Sequence, residues 1–212
     1  MRLKGWMALA IGIVAGFVVL LVVFSVLSSP RSAIAIIPTA AAETTETLTE
    51  ATAESLFLGQ FSVVNGENLD GDTLTMPIDF SGELNLIVMP FDRNQQSSAI
   101  NWLLTFQAII AQHPQVNYYS IAALENLAPA IRFLVVQGLN VAVTDTEVRE
   151  RTFVLFLENQ QSFVDALGDG DMSEMRVLIV NREGQVLWQY IGTFSETAGF
   201  QIQAAIDEFL KR

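Results

Sequence analysis

The segment Leu84-Asn85-Leu86-Ile87-Val88-Met89 constrains this chain more than any other. It is apolar at both alternating sets of positions except at Asn85, the pattern of a central strand buried on both faces. Such a strand needs a layer on each side of its sheet, and the flanking sequence can supply both. After the abrupt stop Pro90-Phe91-Asp92-Arg93-Asn94-Gln95-Gln96, apolar residues recur at helical spacing at Ala99, Leu103, Phe106 and Ile110. Asp92 with Gln95 three residues on fits a capping pair. His113-Pro114 closes this helix, because a proline ring disfavours helical backbone in the residue before it.

The alternation continues. Val116–Ile121 reads as a strand, and Asn126-Leu127-Ala128-Pro129 opens a helix with Ile131, Leu134, Val135 and Leu139 on one face. Thr152–Leu157 reads as a third strand, and Gln160–Leu167 as a short helix before the loop Gly168-Asp169-Gly170-Asp171. Arg176–Val180 and Gln185–Ile191 flank Asn181-Arg182-Glu183-Gly184, which is hairpin punctuation. A last helix turns Ile202, Ile206, Phe209 and Leu210 inward. Strands alternating with helices, then a hairpin and a final helix, predict an α/β architecture: a mixed sheet flanked by helices.

Ahead of this domain, Trp6–Leu27 carries no charge, and it is preceded by Arg2 and Lys4 and followed closely by Arg31 alone. Roughly 20 apolar helical residues span a bilayer core, whereas a secretory signal has an apolar region of about 7–15. The expected organisation is a cytoplasmic tip and single transmembrane anchor over residues 1–30, a tether over 31–56 and a globular domain over 57–212. Positive charge before the segment places the N-terminus in the cytoplasm and the domain outside it. Ala33-Ile34-Ala35 and Ala40-Ala41-Ala42 offer the alternative of a cleaved signal and a secreted domain. The tether is rich in Thr, Ala and Glu, and Glu43, Glu46, Glu50 and Glu54 repel one another at helical spacing, so a solvated coil is expected.

Two composition figures narrow the chemistry. Asp+Glu 23 against Lys+Arg 11 gives a net charge of −12, which opposes nucleic-acid binding. Only four of those acids and three of those bases precede Phe57, so the acidity belongs to the domain. The chain has no cysteine at all. Thiol–disulfide exchange, thiol peroxidase chemistry and cysteine-based zinc sites are thereby excluded, since a methionine thioether forms no thiolate.

Against this background a resemblance stands out. The stretch from Asp70 through Pro77-Ile78-Asp79-Phe80-Ser81-Gly82 to Val88 resembles the opening of thioredoxin-like proteins of the peroxiredoxin and membrane-anchored oxidoreductase kind. The stretch Val177–Trp188 is similar to their exit hairpin. The resemblance covers about residues 60–212 and implies a thioredoxin-like mixed sheet. It also places Asn94–Ala99 where the superfamily carries its dithiol, and there is no proline just before Arg176, where the superfamily has its cis-proline. More narrowly, Pro90–Gln96, Thr152–Leu157 and Phe163–Gly168 resemble the cysteine-free branch containing the mitochondrial ATPase-complex assembly factor and its bacterial relatives. That likeness implies a membrane-associated assembly role, with a protein of a membrane complex as partner.

The candidate partner-binding residues are Asp92, Arg93, Asn94, Gln95 and Gln96, because the carboxyl end of a central strand before a helix is the usual ligand position of α/β sheets. Capping in a solvated loop is their plainer reading. A non-thiol enzyme or a small-ligand-binding domain using the same junction is the alternative function. No catalytic residue, cofactor or metal site is read from the sequence. His113, the single histidine, suits a helix C-terminus, and Trp102 suits the core. Asp169-Gly170-Asp171 begins like a calcium loop, but Glu174 and Val180 stand where glycine and glutamate belong. Asn68, Asp70 and Asp72 raise the same question, with Thr73 at the glycine position, and fit a hairpin turn instead.

Overall fold

Every residue of Leu84–Met89 is buried, and the strand sits in the middle of an eight-stranded sheet. The computed structural model describes residues 57–91 and 95–211, with the backbone but not the side chains of Gln96 and Ser97. The expected anchor and tether lie outside the described residues. Among the described residues no helix is long and apolar enough to cross a membrane.

In chain order the elements are β1 (Gly59–Gln60), β2 (Val64–Asn68), β3 (Thr73–Met76), β4 (Leu84–Met89), α1 (Gln96–Ile110), β5 (Val116–Glu125), α2 (Pro129–Ala142), α3 (Thr146–Glu150), β6 (Thr152–Leu157), α4 (Gln160–Ala166), β7 (Arg176–Asn181), β8 (Gln185–Ile191) and α5 (Glu196–Phe209). The sheet order is β1-β8-β7-β4-β5-β6-β2-β3. Strands β4, β5 and β6 run parallel, joined by crossovers through α1 and α2, while β7 and β8 return antiparallel on the other side of β4. Met89 pairs with Arg176, which fixes what meets the carboxyl end of β4, and Ser120 in the middle of β5 pairs with Thr152, the first residue of β6.

The apolar run on β4 divides between two cores, as its period of two requires. Ile87 and Met89 join Phe61, Leu155, Phe163 and Leu167 on one face, where α4 covers the sheet. Leu86 and Val88 join Trp102, Phe106, Ile202 and Ile206 on the other, beneath α1 and α5. Each fully buried large side chain contributes about 1.5–3 kcal/mol relative to exposure. Asn85, the one polar residue of the run, is satisfied: its Oδ1 accepts from Gly82 N–H at 3.0 Å and its Nδ2 donates to the carbonyls of Gly82 and Val180. It ties the turn that feeds β4 to the neighbouring strand. At the β7–β8 hairpin, Gly184 adopts φ +80, the conformation that turn requires.

Several expectations change in detail. The Asn68 segment is indeed a hairpin turn, with Asn68 Oδ1 accepting from Asp70 and Asp72 N–H. Strand β5 extends to Glu125, and the short α3 stands between α2 and β6. Leu134, expected on the inner face of α2, is 49% exposed, because Val135 and Gly138 are the residues of that helix turned to the sheet. His113 does more than end α1. Its Nε2 lies 3.3 Å from Asp207 Oδ1 and 3.2 Å from Gln203 Nε2, so the ring links the end of α1 to α5.

Candidate functional site

The carboxyl end of β4 faces the start of β7 and the loop 168–175. Of the five residues proposed at this junction, Asp92, Arg93 and Asn94 lie outside the described residues, and Gln96 is the first residue of α1. Gln95 is buried just before α1, and the Asp92 end of the expected capping pair lies outside the described residues. Gln95 Oε1 accepts from Phe91 N–H at 2.8 Å, and its Nε2 donates to the Ser173 carbonyl at 3.0 Å. The carboxamide thereby fastens the turn after β4 to the loop before β7, a tie that sequence spacing does not show. One turn into α1, Ser98 is also buried, and its Oγ accepts from Phe194 N–H.

The facing loop holds itself in shape. Asp171 takes two bonds from Ser173, from N–H and Oγ–H, each at 2.8 Å. Those donors hold the Asp171 carboxyl below the ordinary carboxylate range, with the charge of Arg176 assisting. Met175, standing where the resembled superfamily has its proline, is buried, and Met76–Pro77 is the cis peptide bond found among the described residues.

Arg176 is the residue that pattern reading missed. It is 0% exposed at the head of β7, and its Nη2 donates to the Asp171 carbonyl at 2.9 Å. The Asp169 carboxylate is 4.0 Å from the same nitrogen, while Nε and Nη1 have no hydrogen-bond partner. Burial pulls the guanidinium below its ordinary pKa, and the neighbouring carboxylates of Asp169, Asp171 and Asp165 oppose that shift. A lone arginine between an acidic loop and the apolar run Val177–Val180 was the available signal.

Beside the junction, between α1, α2 and α3, lies a cavity of about 130 Å³ whose walls include Pro90, Ala99, Leu103, Leu139, Val143 and Val148. Trp102 is buried, as expected, with its ring 5.2 Å from Phe194 and 5.6 Å from Tyr190. Among the described residues no group of three or more histidines and carboxylates could hold a metal ion. The arrangement offers buried hydrogen-bond donors and a desolvated cation, and no sulfur nucleophile.

No family model and no curated protein matches the chain. Solved structures do match. A hypothetical protein of Sinorhizobium meliloti 1021 is 15% identical with a TM-score of 0.51, covering 76% of this chain and 86% of that one. The thioredoxin domain of a thiol-disulfide oxidoreductase of Bacteroides vulgatus is 10% identical with a TM-score of 0.47, over 70% of this chain and 96% of that one. BsSco, of the Sco family of cytochrome c oxidase assembly proteins, is 13% identical with a TM-score of 0.46, over 69% of this chain and 93% of that one. With parallel strands joined through helices, an antiparallel return and a closing helix, the domain is a thioredoxin-like fold built without a cysteine.

Proposed function

We propose that the chain is a membrane-anchored, redox-inactive binding domain that serves as an assembly factor or accessory subunit of a membrane complex. In this reading Trp6–Leu27 holds it in the bilayer, the N-terminus stays in the cytoplasm, and the domain meets its partner outside through the junction Asp92–Gln96. The observation that carries the reading is the junction itself. The stretch Asn94–Ala99, where the resembled superfamily carries its dithiol, here includes Gln95, whose carboxamide is committed to two backbone groups, a use that fits a fixed binding surface better than a reacting centre. Crosslinking the full-length protein in its native membrane, followed by mass spectrometry, tests this. Reproducible capture of subunits of one membrane complex is expected, with weaker capture by Gln96→Ala. A protein recovered alone from a gentle extraction overturns the reading, and a domain released into the medium marks the cleaved-signal alternative.

A second reading, a small-ligand domain, is favoured by Arg176. Its two unpartnered donors suit a carboxylate or other oxyanion admitted by movement of the loop 168–175. The neighbouring cavity, at about 130 Å³, is smaller than the several hundred Å³ that solute-binding sites occupy. Thermal unfolding with added acetate, succinate or phosphate decides this reading: a rise in midpoint that disappears in Arg176→Met supports it, and no rise for any of them overturns it.

A further inference from the structure

Helix α2 is the least covered of the three long helices, with Val135 and Gly138 as its buried residues, and its exposed surface follows a strict pattern. Beyond Pro129 at its start, the exposed residues are Ala130, Phe133, Leu134, Gln137 and Val141, the i, i+3, i+4, i+7, i+11 positions of a single stripe. Phe133 is 63% exposed and Val141 58%. The stripe is apolar except for the neutral Gln137, the reverse of what an outer helix face in water carries.

The charge distribution sharpens the point. In a chain of net charge −12, Glu125 and Arg132 are, with His113, the only acidic or basic residues between Gln95 and Thr144. Arg132, the one ion in α2, turns away from the stripe. Its Nε donates to the Leu127 carbonyl at 2.7 Å, its Nη2 bonds Asn126 Oδ1, and the guanidinium lies 4.9 Å from the centre of the Phe156 ring. On α1 the exposed Leu104 shares a cavity wall with Leu139 and Ala142, which lie on a different side of α2 from the stripe.

We infer that the outer face of α2 rests on the bilayer that receives this chain's own apolar segment. The inference rests on the membrane-anchored reading above. Residues 28–56 join that segment to the domain, and a chain of that length with the coil character expected from its composition would span a root-mean-square distance of about 30 Å, about one domain diameter. The domain is thus confined next to a lipid surface for as long as the anchor holds. An uncharged stripe of Phe, Leu and Val suits the boundary between headgroups and acyl chains, and the acidic remainder of the domain favours a neutral headgroup over an anionic one.

The native chain lacks cysteine, so single labelling sites can be introduced into the full protein without removing any. Phe133→Cys, Val141→Cys and, as a control on the exposed β7–β8 turn, Glu183→Cys would each be labelled with an environment-sensitive fluorophore. Each would then be reconstituted into phosphatidylcholine vesicles with and without nitroxide lipid. Quenching by aqueous iodide is expected to be at least about threefold weaker at 133 and 141 than at 183, and nitroxide lipid should quench only the first two. Both sites are exposed, so unchanged circular dichroism is expected, and it verifies folding for each variant. Equal iodide quenching at all three positions in chains that float with the vesicles overturns the docking and leaves the anchor intact. Failure to float overturns the anchor and the docking together. Shielding from iodide without quenching by nitroxide lipid overturns the lipid assignment in favour of protein, and loss of that shielding on dilution of the protein in the vesicles identifies a second copy.

Discussion

Arg176 is the one charged side chain among the buried residues described, and two of its nitrogens have no hydrogen-bond partner. Taking a guanidinium out of water costs several kcal/mol, and here one backbone carbonyl and a carboxylate at 4.0 Å return only part of it. Arg176→Met keeps an unbranched chain in the same space, so the variant is expected to be unchanged or up to about 2 kcal/mol more stable in urea unfolding. A loss above about 1 kcal/mol would mean that Nε and Nη1 are satisfied in solution. Gln95 behaves oppositely, because its amide closes two backbone groups from different loops. Gln95→Ala is expected to cost about 1–3 kcal/mol in the same measurement. Asp171 adds a pH dependence whose sign follows from its depressed pKa. The stabilisation is present above the ordinary carboxylate range and is lost as pH falls through that range towards the folded value. Asp171→Asn still offers Ser173 an acceptor oxygen and cannot titrate, so its thermal midpoint should fall less than the parent's between about pH 5 and pH 3. None of these three residues was legible in its role. A glutamine after a strand reads as a cap, and an arginine at a strand end reads as solvated, because sequence spacing does not reveal which distant loop folds back over them.

At the scale of elements, what could be read was what repeats. β4, β6, β7, α1 and α5 follow from apolar spacing because each buries a full face, and β8, in which only Val186 is buried, follows from the turn before it. β2 did not, since its buried positions are Gly66 and Asn68, which no hydrophobic alternation marks. The two residues of β1 are equally silent, yet packing makes Gly59 demanding. A Cβ placed there would lie 2.3 Å from the backbone carbon of Leu167, a clash that no side-chain rotation relieves. Gly59→Ala is therefore expected to separate β1 from β8 or from the end of α4. Amide exchange reads this directly at Leu58, whose N–H donates to the Val186 carbonyl at 2.9 Å, and its protection should drop while that of β4 persists. The inner face of α2 was misjudged for a related reason. Leu134 obeys helical periodicity, but that helix carries apolar residues on both sides, and periodicity cannot say which side the sheet takes.

The described domain is two cores on one sheet, and the shared sheet is expected to make a single cooperative unit of them. Leu155 is fully buried on the α4 face, whereas Trp102 belongs to the core on the opposite face and Trp188 packs against that core. A Leu→Ala change in a core costs about 2–5 kcal/mol, a large part of the roughly 5–15 kcal/mol that stabilises a typical domain. In a domain of this size, Leu155→Ala should lower the thermal midpoint by about 5–15 °C. If β4, β5 and β7 couple the faces, tryptophan fluorescence must report the same fall as far-UV circular dichroism, although no tryptophan shares a core with Leu155. The chain has three tryptophans, and Trp6 lies outside the described residues, so a Trp6→Phe background leaves Trp102 and Trp188 as reporters. Coincident midpoints are expected in parent and variant alike. A fluorescence midpoint that stays in place while the dichroism midpoint drops would show the α1–α5 layer surviving alone. The junction could then no longer be treated as fixed, because Gln95 at the start of α1 holds the loop that leads into β7, and β7 spans both cores.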